Sequence, residues 1–288
     1  MICAATPLMQ TTIHQSVHIQ GKGIHTGTLS DVMLKPAPVN TGIQFIMHMD
    51  HATHLIPAHV DHVSATAFCT HLRTTQAHVQ TVEHVLSAVN AMGVSNLEIH
   101  VSGTEMPILD GSAQPWCDLI SQAGVQVQNR KVRQIQILQP VRVDAQHAWC
   151  GLEPDSQLVI HYDLHYDHAH IGHQTHELVI TPHTFLQELA SAKTFGFLHE
   201  LEYLKSQGAA HGADLDNVLV FTHDHVQNAH VITHDKECVR HKMVDVVGDL
   251  MLAGAPILGK FTGYRSGHAL NHALVRKLLH APWSWCWV

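Results

Sequence analysis

His241-Lys-Met-Val-Asp245-Val-Val-Gly-Asp249 is the stretch whose reading decides the fold. It reads as the middle of a helix that begins near Glu237 and runs to Gly254. Residues four apart share one helix face. His241, Asp245 and Asp249 therefore form a row of imidazole, carboxylate and carboxylate. Val244, Val247 and Met251 supply the apolar stripe that packs such a helix into a core. Two carboxylates four apart repel unless a cation or a proton lies between them. A solvated acidic edge fits poorly, because the segment otherwise has few charges and many residues of buried type. His241 and Asp245 are thus candidate metal ligands. A catalytic zinc site needs a third protein ligand and an open position as well.

Composition bounds the rest. At 288 residues the chain can hold two domains with proper cores. With 45% hydrophobic and 14% charged residues it is globular and not disordered. No apolar run is long enough to span a membrane. The opening MICAATPLMQ lacks the basic region and the length of a secretion signal. The cysteines at 3, 69, 117, 150, 238 and 286 form no C-x-x-C pair. Reduced thiols in a cytoplasmic protein are the expectation. The 30 histidines offset much of the formal charge of -8. Roughly a quarter of them are protonated at pH 7, which adds about +7. A lasting Lys/Arg footprint is missing, which argues against nucleic acid as a partner. No histidine is informative merely by being present.

Along the chain, residues 11–70 read as strands and turns: Thr11–Ile19, Leu29–Leu34 and Ile43–Met47. Val82, Val85, Leu86, Val89 and Met92 then recur at helical spacing, with Thr81 as N-cap and Gly93 as the stop. Leu97, Ile99 and Val101 alternate as in a strand, and a second helix follows Asp110-Gly-Ser112. Gln126–Gln134 is a polar, basic connector, which places a domain boundary there and divides the chain into 1–128 and 129–288.

Strands resume at Val141–Val143, Ala148–Leu152 and Gln157–Leu164, with helices opening at Thr181-Pro182 and spanning Glu200–Gln207. The focal helix, a strand at Ile257–Phe261 and a helix from Ser266 repeat the helix–strand–helix plan that ends the first half. The expected fold is α+β: two domains of like topology whose first helices could meet at a cleft.

The first of these helices carries Glu83-His84, off its apolar stripe and about 100° apart around the axis. Alone, such a pair is a solvated edge. Here it lies at the position equivalent to His241 and Asp245. His84, His241 and Asp245 would make a zinc site, with Glu83 beside the open position. His268, in the first turn of its helix, would be depressed by the macrodipole unless a carboxylate such as Asp249 countered it.

Thr81-Val-Glu-His84, Ile108-Leu-Asp-Gly-Ser-Ala113, Lys193-Thr-Phe-Gly-Phe197, Val239 through Leu250, Ser266-Gly-His-Ala269 and Gly21-Lys-Gly-Ile-His-Thr-Gly27 together resemble the zinc-dependent UDP-3-O-acyl-N-acetylglucosamine deacetylases of lipid A synthesis. The resemblance covers about residues 11–279. It implies helices sandwiched between two sheets, and zinc on His84, His241 and Asp245. It further implies Glu83 as base, His268 as acid or electrostatic stabiliser, and Asp249 to orient it.

Thr194 would donate to the developing oxyanion, and Lys242 would reach substrate oxygens or phosphate. Phe195 would stack near the sugar or nucleotide, with His25 also on the substrate. The insert 198–217, with Leu198, Leu201, Leu204 and Leu215, would form an acyl passage. Lys193 stands where arginine is usual, and Ala148 where a basic residue could help hold the diphosphate. The implied partner is a UDP-linked acylated amino sugar, met by a cytoplasmic monomer. A non-catalytic, histidine-rich metal-binding protein, built on His161–His176 and His223–His234, is the alternative.

Overall fold

The computed structural model describes residues 8–49 and 52–288. The opening segment through Pro7, with Cys3, lies outside them. Six α-helices occur among the described residues: α1 (Glu83–Ala91), α2 (Gln114–Ala123), α3 (Pro182–Glu188), α4 (Leu201–Ser206), α5 (Glu237–Met251) and α6 (His268–Leu279).

Two sheets carry the architecture, and they share one plan. In the first half the strands lie in the order Val17–Lys22, Leu29–Pro36, Leu97–Val101, Ile43–Met49, Ala52–Pro57. The single parallel pair is Leu97–Val101 with Ile43–Met49; the others run antiparallel. In the second half the order is Val141–Ala145, Ala148–Glu153, Ile257–Tyr264, Leu158–His165, His173–Val179, with the same alternation of senses. Ile135–Ile137 and Trp285–Trp287 extend this second sheet. The repeat expected from the spacing of helices and strands is therefore present down to the sense of each pairing.

The two halves meet through their helices. α5 is buried along its whole length apart from Lys242. It packs on α1 on one side and on strand Leu158–His165 and α6 on the other. Gly248 is what allows the close crossing. A Cβ there would stand 2.1 Å from the Glu83 carbonyl oxygen, nearer than any real Cβ approaches. The apolar stripe of Val244, Val247 and Met251 is buried, as its periodicity predicts.

Some local expectations change. Thr11–Ile19 is interrupted, giving strands Met9–Ile13 and Val17–Lys22. Thr81 does not cap α1. It has a left-handed backbone (φ 61°), and its hydroxyl donates to Glu105 Oε1 at 3.1 Å. The polar stretch Gln126–Gln134 is mostly strand: Val125–Lys131 pairs antiparallel with Met9–Ile13. Pairing, not burial, orders it, and polar side chains suit a strand this exposed. Thr181 caps α3 as expected, through a reciprocal capping box with Thr184.

Candidate metal and catalytic site

The first turn of α1 and the middle of α5 bring the expected residues together. His84, His241 and Asp245 are all buried, and each offers one ligand atom within 4.8 Å of the others. Asp245 Oδ1 lies 3.5 Å from His241 Nε2 and 3.9 Å from His84 Nε2. Ligands about 2.0–2.1 Å from a tetrahedral zinc stand roughly 3.3–3.5 Å apart, so the spacing is close to what such an ion needs.

Protonation points the same way. His241 Nδ1 faces the Ala192 carbonyl at 3.0 Å, which fixes its proton there and turns the bare Nε2 toward the carboxylate. Burial, then neighbouring His241, pushes His84 down to about 3, so its imidazole is neutral. Burial lowers His241 as well. Burial opposes ionisation of Asp245, yet Lys242 and then His241 hold its carboxyl below the usual range. Two neutral imidazoles and a carboxylate converge without a proton to share, and His84 Nδ1 has no hydrogen-bond partner among the described residues. Such a donor set fits a divalent cation.

Glu83 stands next to this group on α1. The Thr70 backbone N–H donates to its Oε2 at 3.1 Å, and its Oε1 lies 3.9 Å from His268 Nε2. Burial raises its carboxyl to about 7, with His268 opposing. His268, at the start of α6, has its Nδ1 2.8 Å from Asp249 Oδ2. Burial would lower this imidazole, but Asp249 overrides that and raises it to about 9. A carboxyl raised toward neutrality and an imidazole held cationic thus share one pocket.

The group opens into a cavity of about 670 Å³ that both halves line. Thr194 is on its wall, fixed by its backbone N–H to the Gly111 carbonyl at 2.8 Å. Lys193 holds that loop, its ammonium on the Asp110 carboxylate at 2.9 Å and carbonyl at 2.8 Å. Gly111 is required where it stands: its φ is 84°, and a Cβ would meet the Asn217 carbonyl oxygen at 1.8 Å.

Phe195 lines the same cavity from a short strand that pairs with Leu219–Phe221, its ring 5.7 Å from Tyr166. Leu198, Leu201, Leu204 and Leu215 make one apolar wall, and His25 lies on the lining too. Lys242 lines the cavity as well, but its ammonium sits on Asp245 Oδ2. Trp149 stacks against Arg142, whose guanidinium carbon is 3.9 Å from the ring centroid; no contact of Ala148 with the cavity is seen.

Over 93–94% of the chain the comparisons agree. The family model of the UDP-3-O-acyl N-acetylglycosamine deacetylases matches residues 10–280. The chain belongs to this family. Its members include UDP-3-O-acyl-N-acetylglucosamine deacetylases of Oleidesulfovibrio alaskensis, 39% identical over 93% of this chain and 88% of that protein, and of Helicobacter pylori, 37% identical over 94% and 92%. The one from Brucella melitensis biotype 1 is 39% identical over 94% and 95%.

Several residues of the site escape sequence reasoning. Thr70 touches both arms, through its N–H to Glu83 and its hydroxyl to Asp249 at 2.9 Å. Asn271 and His272, on α6, reach the same carboxylate. Glu105 holds the loop of His25 by accepting two backbone N–H groups at 2.8 Å. The helical spacing of His268 and His272, four apart, is the one signal for them that the sequence carries. The histidine-rich stretches His161–His176 and His223–His234 form no three-ligand group among the described residues.

Proposed function

We propose that this chain hydrolyses the 2-acetamido group of UDP-3-O-(3-hydroxyacyl)-N-acetylglucosamine to acetate and the free amine, an early step of lipid A biosynthesis, with zinc held by His84, His241 and Asp245. The observation that carries this reading is one cavity with two characters. Its floor holds the three ligand-type residues, Glu83 and His268, and its wall holds four leucines of the insert. A bound zinc would polarise the amide carbonyl and acidify water at neutral pH.

The chain's own groups do the rest. Thr70 leaves Glu83 Oε1 facing the cavity, where the carboxylate takes the proton of the attacking water. The water oxygen bonds to the amide carbon as the carbonyl oxygen gains charge, and the Thr194 hydroxyl donates to that oxygen. The C–N bond then breaks, and the leaving nitrogen takes a proton from His268 or from Glu83 acting a second time. Asp249 keeps His268 charged and aimed. Lys242 neutralises the outer oxygen of Asp245 and can reach a substrate oxygen. Phe195 and His25 bound the end where the sugar or nucleotide would lie. Leu198, Leu201 and Leu215 flank the acyl chain.

The division into domains 1–128 and 129–288 belongs to this reading, and the pairing of Val125–Lys131 with Met9–Ile13 supports a seam close to that point. No helix among the described residues is long and apolar enough to cross a membrane. Together with five described cysteines as free thiols, this supports a cytoplasmic enzyme. The site is complete within one chain, which supports a monomer. The test is release of acetate from the acylated UDP-sugar, its loss after chelation, and its return with zinc at one equivalent per chain. Hydrolysis indifferent to chelation would overturn the metal assignment. No hydrolysis by zinc-loaded protein would overturn the substrate.

A further inference from the structure

Asp249 is fully buried and carries more partners than orienting His268 requires. Its Oδ2 accepts from His268 Nδ1 and from Asn271 Nδ2, each at 2.8 Å. Its Oδ1 accepts from the Thr70 hydroxyl at 2.9 Å and lies 3.3 Å from His272 Nε2. His272 is itself 0% exposed, with Nε2 2.9 Å from the Thr70 oxygen. The hydroxyl proton is committed to Asp249, so the proton between Thr70 and His272 must come from the imidazole. His272 Nδ1 has no hydrogen-bond partner among the described residues. A second proton there would be buried without an acceptor. The ring is therefore the neutral Nε2–H tautomer.

We propose that His272 is a positioning residue for the deacetylation, whose Nε2–H, shared between Thr70 and Asp249, clamps the Oδ1 edge of the carboxylate and turns the Oδ2 edge to His268. This rests on the reading above that His268 serves the reaction. Other ionisable groups act on these three from the elements packed around them: Glu83 and His84 from α1, Asp245 from α5, Cys150 from strand Ala148–Glu153 and Arg276 from α6. None of them is placed against Oδ1; the Thr70 hydroxyl donates to it, and His272 Nε2 lies 3.3 Å away. The clamp also explains why a buried imidazole is placed beside a catalytic pair without facing the cavity.

His272→Gln keeps an N–H donor near the position of Nε2, and His272→Leu keeps the volume without it. In zinc-loaded protein the Leu variant should lose about tenfold in kcat with KM unchanged, the low end of what outer partners of a site contribute. Its alkaline limb should move to higher pH, because Asp249 loses a donor that drew on its charge. The Gln variant should recover both. Equal losses in the two variants, or a limb that stays in place in the Leu variant, would reduce His272 to core packing.

Should the Leu variant not fold, Thr70→Val removes the shared hydroxyl and should move the limb the same way; an unmoved limb overturns the clamp. Nitrogen-15 NMR of the zinc-free protein should find His272 as the neutral Nε2–H tautomer from pH 6 to 9. A protonated Nδ1 there would refute the proposal. That measurement needs no substrate, so its outcome is separate from success or failure of the deacetylase reading.

Discussion

Gly248 of α5 faces the backbone carbonyl of Glu83 on α1 with no room for a methyl group between them. This contact sets the distance at which the two helices that carry the ligand-type residues cross. Gly248→Ala should push α5 away from α1 and part His84 from His241 and Asp245. Overpacking of this kind costs about 1–3 kcal/mol. The expected result is a folded protein of lower Tm and weaker zinc retention on dialysis. Unchanged zinc affinity would show that the crossing does not set the site.

His241→Ala and Asp245→Ala should leave the protein folded, since the stripe of Val244, Val247 and Met251 is untouched, but should abolish tight zinc binding. Metal analysis after dialysis checks this, with circular dichroism as the control for folding. Full zinc in both variants would mean that the ligands lie elsewhere.

The two arms of the site set the pH profile. A base must be unprotonated and an acid protonated together, so activity should be bell-shaped. Burial holds Glu83 near 7 in the metal-free protein, and a cation beside it should lower that, placing the acidic limb below 7. His268, raised to about 9 by Asp249, stays protonated below that value and is lost as pH rises through it. Asp249→Asn should bring the alkaline limb down. Glu83→Ala should cost roughly 10²–10⁴ in kcat while zinc stays bound. An alkaline limb insensitive to Asp249→Asn and His268→Ala would leave Glu83 to carry the proton both ways.

A charge on the leucine wall should be felt in proportion to acyl length. Each buried methylene is worth about 0.8 kcal/mol. Leu201→Asp or Leu215→Asp should therefore raise KM for long-acyl substrates more than for short ones. Equal losses at all lengths would assign these leucines to the protein's own packing.

Much of this fold was legible because its signals are local. The spacing of Val82, Val85, Leu86 and Val89, and the alternation of Leu97, Ile99 and Val101, fix a helix and a strand within a few residues. Their recurrence after Glu237 exposes the repeat, and the sheet order confirms it. The ligand-type group was legible in part: His241 and Asp245 share a helix face, and His84 joins them through the equivalence of the halves. Thr70 was not legible, because its partners Asp249 and His272 are 179 and 202 residues away in sequence. No periodicity marks a residue that acts through its backbone N–H and one hydroxyl. Val125–Lys131 was missed for a related reason. A strand whose side chains are largely exposed shows little apolar alternation, here only Val125 and Val127, and its pairing with Met9–Ile13 defines it.

The three ligand-type residues are divided, one on α1 and two on α5, and so belong to opposite halves of the molecule. An ion joining them would act as a rivet across the helix interface, and its binding energy would become part of the resistance to heat. An ion free at 100 times its Kd adds about 2.7 kcal/mol to the stability of the native chain. Chelation should then lower Tm in proportion to the logarithm of free zinc. A His84→Ala chain, robbed of its one ligand from α1, should melt at the same temperature with or without chelator.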